Sequence, residues 1–353
     1  RAFAEEKFHF YGRRLTGAKE LKPRWKRCVE LTDSVLGEDL GRRYVEKAYP
    51  PDTKKRMDEL VVSVEAALKN DIMGLDWMTP QTKEKALAKL ATIVNKVGYP
   101  EKWRDYSAVV IDRKDLLGSI RSGMEFEHRR QLAKIGKPVD RKEWLMTPPT
   151  VNAYYDPQMN NINFPAGILQ PPFFDPSMDD AVNLGAIGAV IGHELTHGFD
   201  DQGRKFDLKG NMEDWWTPED AKAFEGRAQC FVDQYAGYEA VPGVKLNGKL
   251  TLGENTADNG GLLVAGMALD ASPAGSAAPR DGFTPRQRLF FGWAQVWCQN
   301  RTDQVARMLA VTDSHSPARE RVNGPLVNSA EFAKAFSCKP GDAMVSVKAC
   351  RVW

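Results

Sequence analysis

The stretch Val190-Ile191-Gly192-His193-Glu194-Leu195-Thr196-His197-Gly198-Phe199-Asp200-Asp201 decides how the rest of the chain is read. It contains the spacing His-Glu-x-x-His, inside a segment whose apolar residues Leu184, Ile187, Val190, Ile191 and Leu195 recur at helical intervals from Asp180 onward. On a helix, residues four apart share one face, so His193 and His197 reach a single metal ion while Glu194 projects beside them. Ile191, Gly192, Leu195 and Phe199 make this helix too apolar for a solvated surface, and two histidines and a carboxylate buried without partners would each cost kilocalories. A zinc ion removes that cost, so the spacing predicts one zinc per chain.

A catalytic zinc takes three protein ligands and keeps one position open for water. No third histidine follows closely, since Gly198, Phe199, Asp200 and Asp201 come next. Further on, Gly253-Glu254-Asn255-Thr256-Ala257-Asp258-Asn259-Gly260-Gly261 reads as a helix start carrying two acids four apart. Glu254 is therefore a candidate third ligand, with Asp258 behind a histidine. The same two acids also read as first-turn residues favoured by the helix dipole.

With 353 residues the chain has room for two domains or one large one. Its 42% hydrophobic and 27% charged residues are those of a globular protein, which excludes disorder and fibrous repeats. Lys and Arg number 49 against 47 Asp and Glu, interspersed, a balance that argues against a nucleic-acid partner. No apolar run is long enough for a spanning helix, and no signal peptide is visible. The chain opens on Arg1 and reads as a fragment or a processed form. On spacing alone the five cysteines read equally well as buried free thiols, and their odd number leaves at least one unpaired.

The first 135 residues read as helical. Met57, Leu60, Val61, Val64, Leu68 and Ile72 form one stripe; Thr79-Pro80 opens a second helix with Leu87, Leu90 and Val94 on its stripe and Gly98 and Pro100 as its stop. A third spans roughly 115–134, followed by a turn-rich loop over 136–149. Val151–Tyr155 and Asn161–Phe164 alternate as a hairpin. Thr217-Pro218 and Thr284-Pro285 each start a helix, and 271–279 reads as a surface loop.

Several motifs occur in order: VNAYY from Val151, FPAGILQPPFF from Phe164, VIGHELTHGFDDQGR from Val190, LGENTADNGG from Leu252, AQVWC ending at Cys298, DSHSP from Asp313 and the terminal CRVW. In this the chain resembles the C-terminal half of the neprilysin and endothelin-converting-enzyme family of zinc endopeptidases. The resemblance implies a mainly α fold with a small β-sheet (α+β), a thermolysin-like gluzincin catalytic domain over 136–353 preceded by a helical segment, 1–135, from a helical lobe. It implies zinc on His193, His197 and Glu254, with Asp258 and Asp200 behind the imidazoles. Glu194 would take a proton from the attacking water, His315 would stabilise the transition state, Arg321 would grip a substrate carbonyl, and Asn152 and Ala153 would form an edge strand for the substrate backbone. Ile168, Phe173, Val190, Val296 and Trp297 would line an apolar pocket.

By the same resemblance Cys230 pairs with Cys350, while Cys28, Cys298 and Cys338 have partners upstream, outside this chain. Disulfides imply an extracytoplasmic setting, secreted, periplasmic or membrane-anchored, with any anchor outside this chain. An N-terminal half of the same polypeptide would roof the site and restrict it to peptides. The expected activity is hydrolysis of short peptides on the amino side of large hydrophobic residues. The alternatives are a broader thermolysin-like protease acting on unfolded proteins and a non-catalytic peptide-binding module, against which the intact Glu194 argues.

Overall fold

A computed structural model describes residues 2–353, mainly helical with two small sheets. In the N-terminal part α1 (Ala2–Lys7) and a π-helical stretch, Phe8–Leu15, lead into α2 (Arg24–Ala48), α3 (Pro51–Gly74), α4 (Pro80–Leu90), β1 (Val94–Gly98) and α5 (Leu116–Leu132). The stripe from Met57 to Ile72 is buried along α3. α4 opens on the Thr79 cap with Pro80 behind it, but it stops at Leu90, short of the expected end. Ile93, Val94 and Val97 are β-branched, and Val94–Gly98 finds a parallel partner in β3 (Asn161–Pro165), with Val94 opposite Asn161. Val94 is thus a half-exposed strand residue and not part of a helical stripe.

β2 (Tyr154–Asp156) pairs antiparallel with β3, giving the order β1-β3-β2, with β3 buried in the middle and β2 on the edge. The expected hairpin forms, but its first strand begins at Tyr154 instead of Val151. In the observed register Asn152 would stand opposite Pro165, which has no N–H to donate, so the ladder ends.

After β3, α6 (Asp180–Asn183), a π-helical stretch, Leu184–Gly188, and α7 (Ala189–His197) run on as one rod, capped at its start by Asp179. α8 (Pro218–Ala236), the hairpin of β4 (Glu239–Val241) and β5 (Val244–Lys245), α9 (Leu252–Ala271), α10 (Pro285–Val296), α11 (Asp303–Thr312), α12 (Ala318–Asn328) and α13 (Ala330–Ala335) complete the chain. Thr217 and Thr284 cap α8 and α10 ahead of their prolines, Thr284 in a reciprocal box with Gln287. The run 271–279, expected as loop, begins with the end of α9 and a 3-10 turn at Pro273–Ser276. One apolar cluster joins residues from Met57 to Val97 with residues from Ala153 to Trp353, so α3 and α4 share a core with α7 and α9 across the expected boundary at 135. A disulfide between Cys230 and Cys350 ties α8 to the C-terminal segment.

Two close contacts fix helices against one another, the first of them between the helices that carry the site. α7 and α9 meet backbone to backbone at Gly192 and Gly261: a Cβ on Gly261 would lie 2.5 Å from the Ala189 carbonyl oxygen and 2.6 Å from the His193 nitrogen. At the start of α4, the fully buried Asp220 carboxylate accepts from the Thr79 N–H (2.8 Å) and from the hydroxyls of Thr79 (2.7 Å), Thr82 (2.5 Å) and Thr217 (2.6 Å), so one side chain fastens the caps of both α4 and α8.

Gly261→Ala should lower unfolding stability by about 1–3 kcal/mol, because the clash is with backbone that no rotamer change relieves; urea denaturation reads this out. Burial alone would lift the Asp220 pKa, but hydrogen bonds from Thr217, Thr82 and Thr79 outweigh it and hold the carboxyl below the ordinary range. Its contribution is then fully present above the unfolded-state pKa of ~3.9 and is lost as the pH falls through the lower folded value. Asp220→Asn should cost about 2–4 kcal/mol at neutral pH, with the gap to the parent chain closing below about pH 4 in urea titrations.

Candidate metal centre

α7 presents His193 and His197 one turn apart on the face that meets α9, and the first turns of α9 present Glu254 and Asp258, also one turn apart. The His193 Nε2 lies 3.0 Å from the His197 Nε2 and 3.2 Å from the Glu254 Oε2; the His197 Nε2 is 3.6 Å from that same oxygen. Behind the rings, Asp258 Oδ1 is 2.9 Å from His193 Nδ1 and Asp200 Oδ2 is 2.7 Å from His197 Nδ1. Carboxylates in those positions hold the protons on Nδ1, so both Nε2 lone pairs point inward. Glu254 Oε2, buried and without a hydrogen-bond partner, adds a third lone pair. One donor atom from each of these three side chains falls within 4.8 Å of the others. Two imidazole nitrogens and a carboxylate oxygen converging on one point fit a zinc ion with an open fourth position.

The electrostatics agree with a cation site. Burial would raise the Glu254 carboxyl, yet the adjacent His193 and His197 hold it well below the usual range. Burial presses both imidazoles down, and Asp258 and Glu254 on His193, with Asp200 and Glu254 on His197, reverse that and raise them. Asp258 is likewise lifted by burial and pulled down further by Arg321 and His193. Glu194, buried beside the ligands, has its carboxyl raised by burial against the pull of His193 and His197. A carboxyl with a raised pKa next to a metal-ligand cluster is suited to accept and release a proton.

Arg321, on α12, is buried and donates from Nε (2.7 Å) and Nη2 (2.6 Å) to the two oxygens of Asp258. The Trp297 ring lies 3.9 Å from its guanidinium carbon, and Trp293 Nε1 donates to its carbonyl (3.1 Å). His315 stands at the rim, its Nε2 3.2 Å from Glu254 Oε2 and its Nδ1 2.8 Å from Asp313 Oδ1. Ser316 Oγ donates to Asn255 Oδ1 (2.7 Å) and so ties the loop bearing His315 to α9.

A cleft of about 490 Å³ opens over these groups, with Asn152, Ala153, Ile168, Phe173, Val190 and Trp297 among its walls. Asn152 and Ala153 come just before edge strand β2 rather than inside it. Val296 is the exception: half-buried, it packs against the apolar core, while Trp293 and Trp297, one turn apart on α10 and its cap, face the cleft. Two residues escaped the sequence reading. Asp313, which orients His315, was visible only as the first letter of DSHSP. Lys89, 1% exposed, sits on the inner face of α4 with Thr82, Ala86 and Leu90; a lysine on an apolar stripe was the available signal.

Models described as peptidase family M13 match this chain over residues 152–352 and, for the N-terminal part, over residues 1–100. Human endothelin-converting enzyme 1 is 41% identical over 99% of this chain and 46% of its own length; Neprilysin-3 of Drosophila melanogaster is 40% identical over 93% and 43%. The chain therefore spans about half the length of the relatives it matches. The crystal structure of a Mycobacterium tuberculosis zinc metalloprotease in complex with an inhibitor superposes with a TM-score of 0.96 at 48% identity, covering 100% of this chain and 55% of that one. Family match, relatives and fold agree: the chain belongs to peptidase family M13.

Proposed function

We propose that this chain is the catalytic part of a zinc-dependent endopeptidase that cleaves short peptides on the amino side of large hydrophobic residues. The carrying observation is the convergence of one donor atom each from His193, His197 and Glu254 beside the buried Glu194 in an open cleft. A zinc ion on these three side chains supplies a Lewis acid and brings the pKa of water to about 7. Glu194 takes the proton from the attacking water and returns it to the leaving amine. His315, oriented by Asp313, stabilises the carbonyl oxygen as it gains charge, and Arg321, braced by Asp258 and Trp297, grips a substrate carbonyl.

Substrate backbone runs along Asn152 and Ala153, continuing the free edge of β2. Ile168, Phe173, Val190 and Trp297 take the apolar side chain that follows the cleaved bond. The division into a helical segment 1–135 and a catalytic domain 136–353 is part of the proposal, as is an upstream half of the polypeptide roofing the cleft. Support for the latter is the row of exposed apolar side chains on α5, Leu116, Leu117, Met124 and Leu132. The Cys230–Cys350 disulfide supports an extracytoplasmic setting. Among the described residues no helix is long and apolar enough to cross a membrane.

The test is cleavage of a quenched peptide carrying Phe or Leu after the scissile bond, with zinc content measured in parallel. The parent chain should hold one zinc and lose activity to a chelator. Glu194→Gln should keep the zinc while kcat falls roughly 10²–10⁴-fold. Glu254→Ala should weaken zinc by more than the roughly 10–100-fold that loss of an outer hydrogen-bond partner costs. Unchanged zinc affinity in Glu254→Ala would remove that residue from the ligand set.

A further inference from the structure

Lys89 is a buried lysine whose hydrogen-bond partners are neutral, with the Asp200 and Asp207 carboxylates as its nearby opposite charges. Its Nζ donates to the carbonyl oxygens of Gly198 (2.7 Å), Gly203 (2.8 Å) and Phe206 (2.7 Å), which uses all three of its N–H bonds. The rings of Tyr155, Phe199 and Trp215 wall it in, with centroids 5.6–5.8 Å away. A lysine is almost never fully buried without a charged partner, so a cage of carbonyls needs a reason. All three carbonyls belong to the segment that leaves α7 immediately after His197.

That segment folds back tightly on the end of α7: a Cβ on Gly203 would come within 1.7 Å of the His197 carbonyl oxygen. From Lys89 an unbroken series of contacts reaches the metal centre. Lys89 holds the Gly203 carbonyl; the Gly203 N–H donates to Asp200 Oδ1 (2.7 Å); Asp200 Oδ2 holds His197 Nδ1 (2.7 Å). The Gln202 N–H also donates to Asp200 Oδ1 (2.9 Å), so the carboxylate is fixed by the turn that Lys89 fastens. Asn160 secures the lysine from behind, its Nδ2 donating to the Lys89 carbonyl (3.2 Å) and its Oδ1 accepting from the Tyr155 hydroxyl (2.8 Å).

We propose that Lys89 is a positioning residue for the metal centre: it locks the turn over 198–206 so that Asp200 holds His197 with its Nε2 lone pair toward the metal. The proposal rests on the zinc reading above, and it assigns Lys89 a role without contact to any ligand. Three N–H donors on one tetrahedral nitrogen suit three converging carbonyls, a geometry that neither a planar guanidinium nor an apolar side chain reproduces.

The test is the rate at which zinc leaves the protein to a coloured chelator in excess, well below the unfolding temperature, for the parent, Lys89→Met, Asp200→Ala and the double variant. Lys89→Met should release zinc about 10-fold faster or more, as loss of an outer partner does. In the Asp200→Ala background the same change should alter the rate less than about twofold, because residues acting through one another do not add. Asp220→Asn, which loosens the opposite end of α4, should lower the urea midpoint and leave zinc release unchanged. Where Lys89→Met yields too little folded protein, Lys89→Gln, which keeps N–H donors, should give a smaller acceleration with the same dependence on Asp200. Equal factors in both backgrounds, or an equal acceleration in Asp220→Asn, would reduce Lys89 to a general stabiliser and overturn the proposal. A parent chain that takes up no zinc would overturn the zinc reading itself and this inference with it.

Discussion

Two helices that touch without a side chain between them are the constraint on which the site depends. Because Gly192 and Gly261 let α7 and α9 approach backbone to backbone, the His193–His197 turn faces the Glu254–Asp258 turn at hydrogen-bond distance. Each pair is four residues apart for the same reason, since that is the spacing that puts two side chains on one face. A single extra carbon at the crossing would widen every distance in the centre together. Metal coordination tolerates errors of only a few tenths of an ångström, so a rigid contact near the ligands is more effective than a soft apolar one.

Charge is the second constraint. Glu194, Glu254, Asp258 and Asp200 crowd around two imidazoles, with Arg321 as the neighbouring cation. Buried carboxylates of this number repel one another and resist desolvation. The protein absorbs part of that cost by giving Asp258 two hydrogen bonds from Arg321 and Asp200 two backbone N–H donors. What is left over is directed at one point, between the inward nitrogens and Glu254 Oε2, where a divalent cation is the natural complement.

Much of this was legible in the sequence because it is local. Helix caps, the α3 stripe and the His-Glu-x-x-His spacing each depend on residues within a few positions of one another, and the structure reproduces them. What was not legible depends on partners far along the chain. Val94 leaves the helical pattern because β3, more than sixty residues later, offers a parallel edge. Val296 turns from the cleft because the Trp293–Trp297 face of α10 is the one that meets it. Lys89 cannot be understood from its own neighbours, since its three carbonyls lie beyond residue 197. Glu254 and Asp258 stand between the two cases: their spacing pointed to a shared face, but only the contact with α7 sets them against the two histidines.

The outer edge of β2 carries a consequence of another kind. A strand edge open to one extended peptide is in principle open to any other, and such edges are where chains stick together into aggregates. Here the ladder on β2 is only three residues long, it ends in Asp156, and Pro157 follows at once. A short edge that finishes in a charge and a residue without an N–H gives a second copy of the protein too little to grip. The edge proposed to take a peptide lengthwise is thus a brief one for a neighbouring sheet to extend.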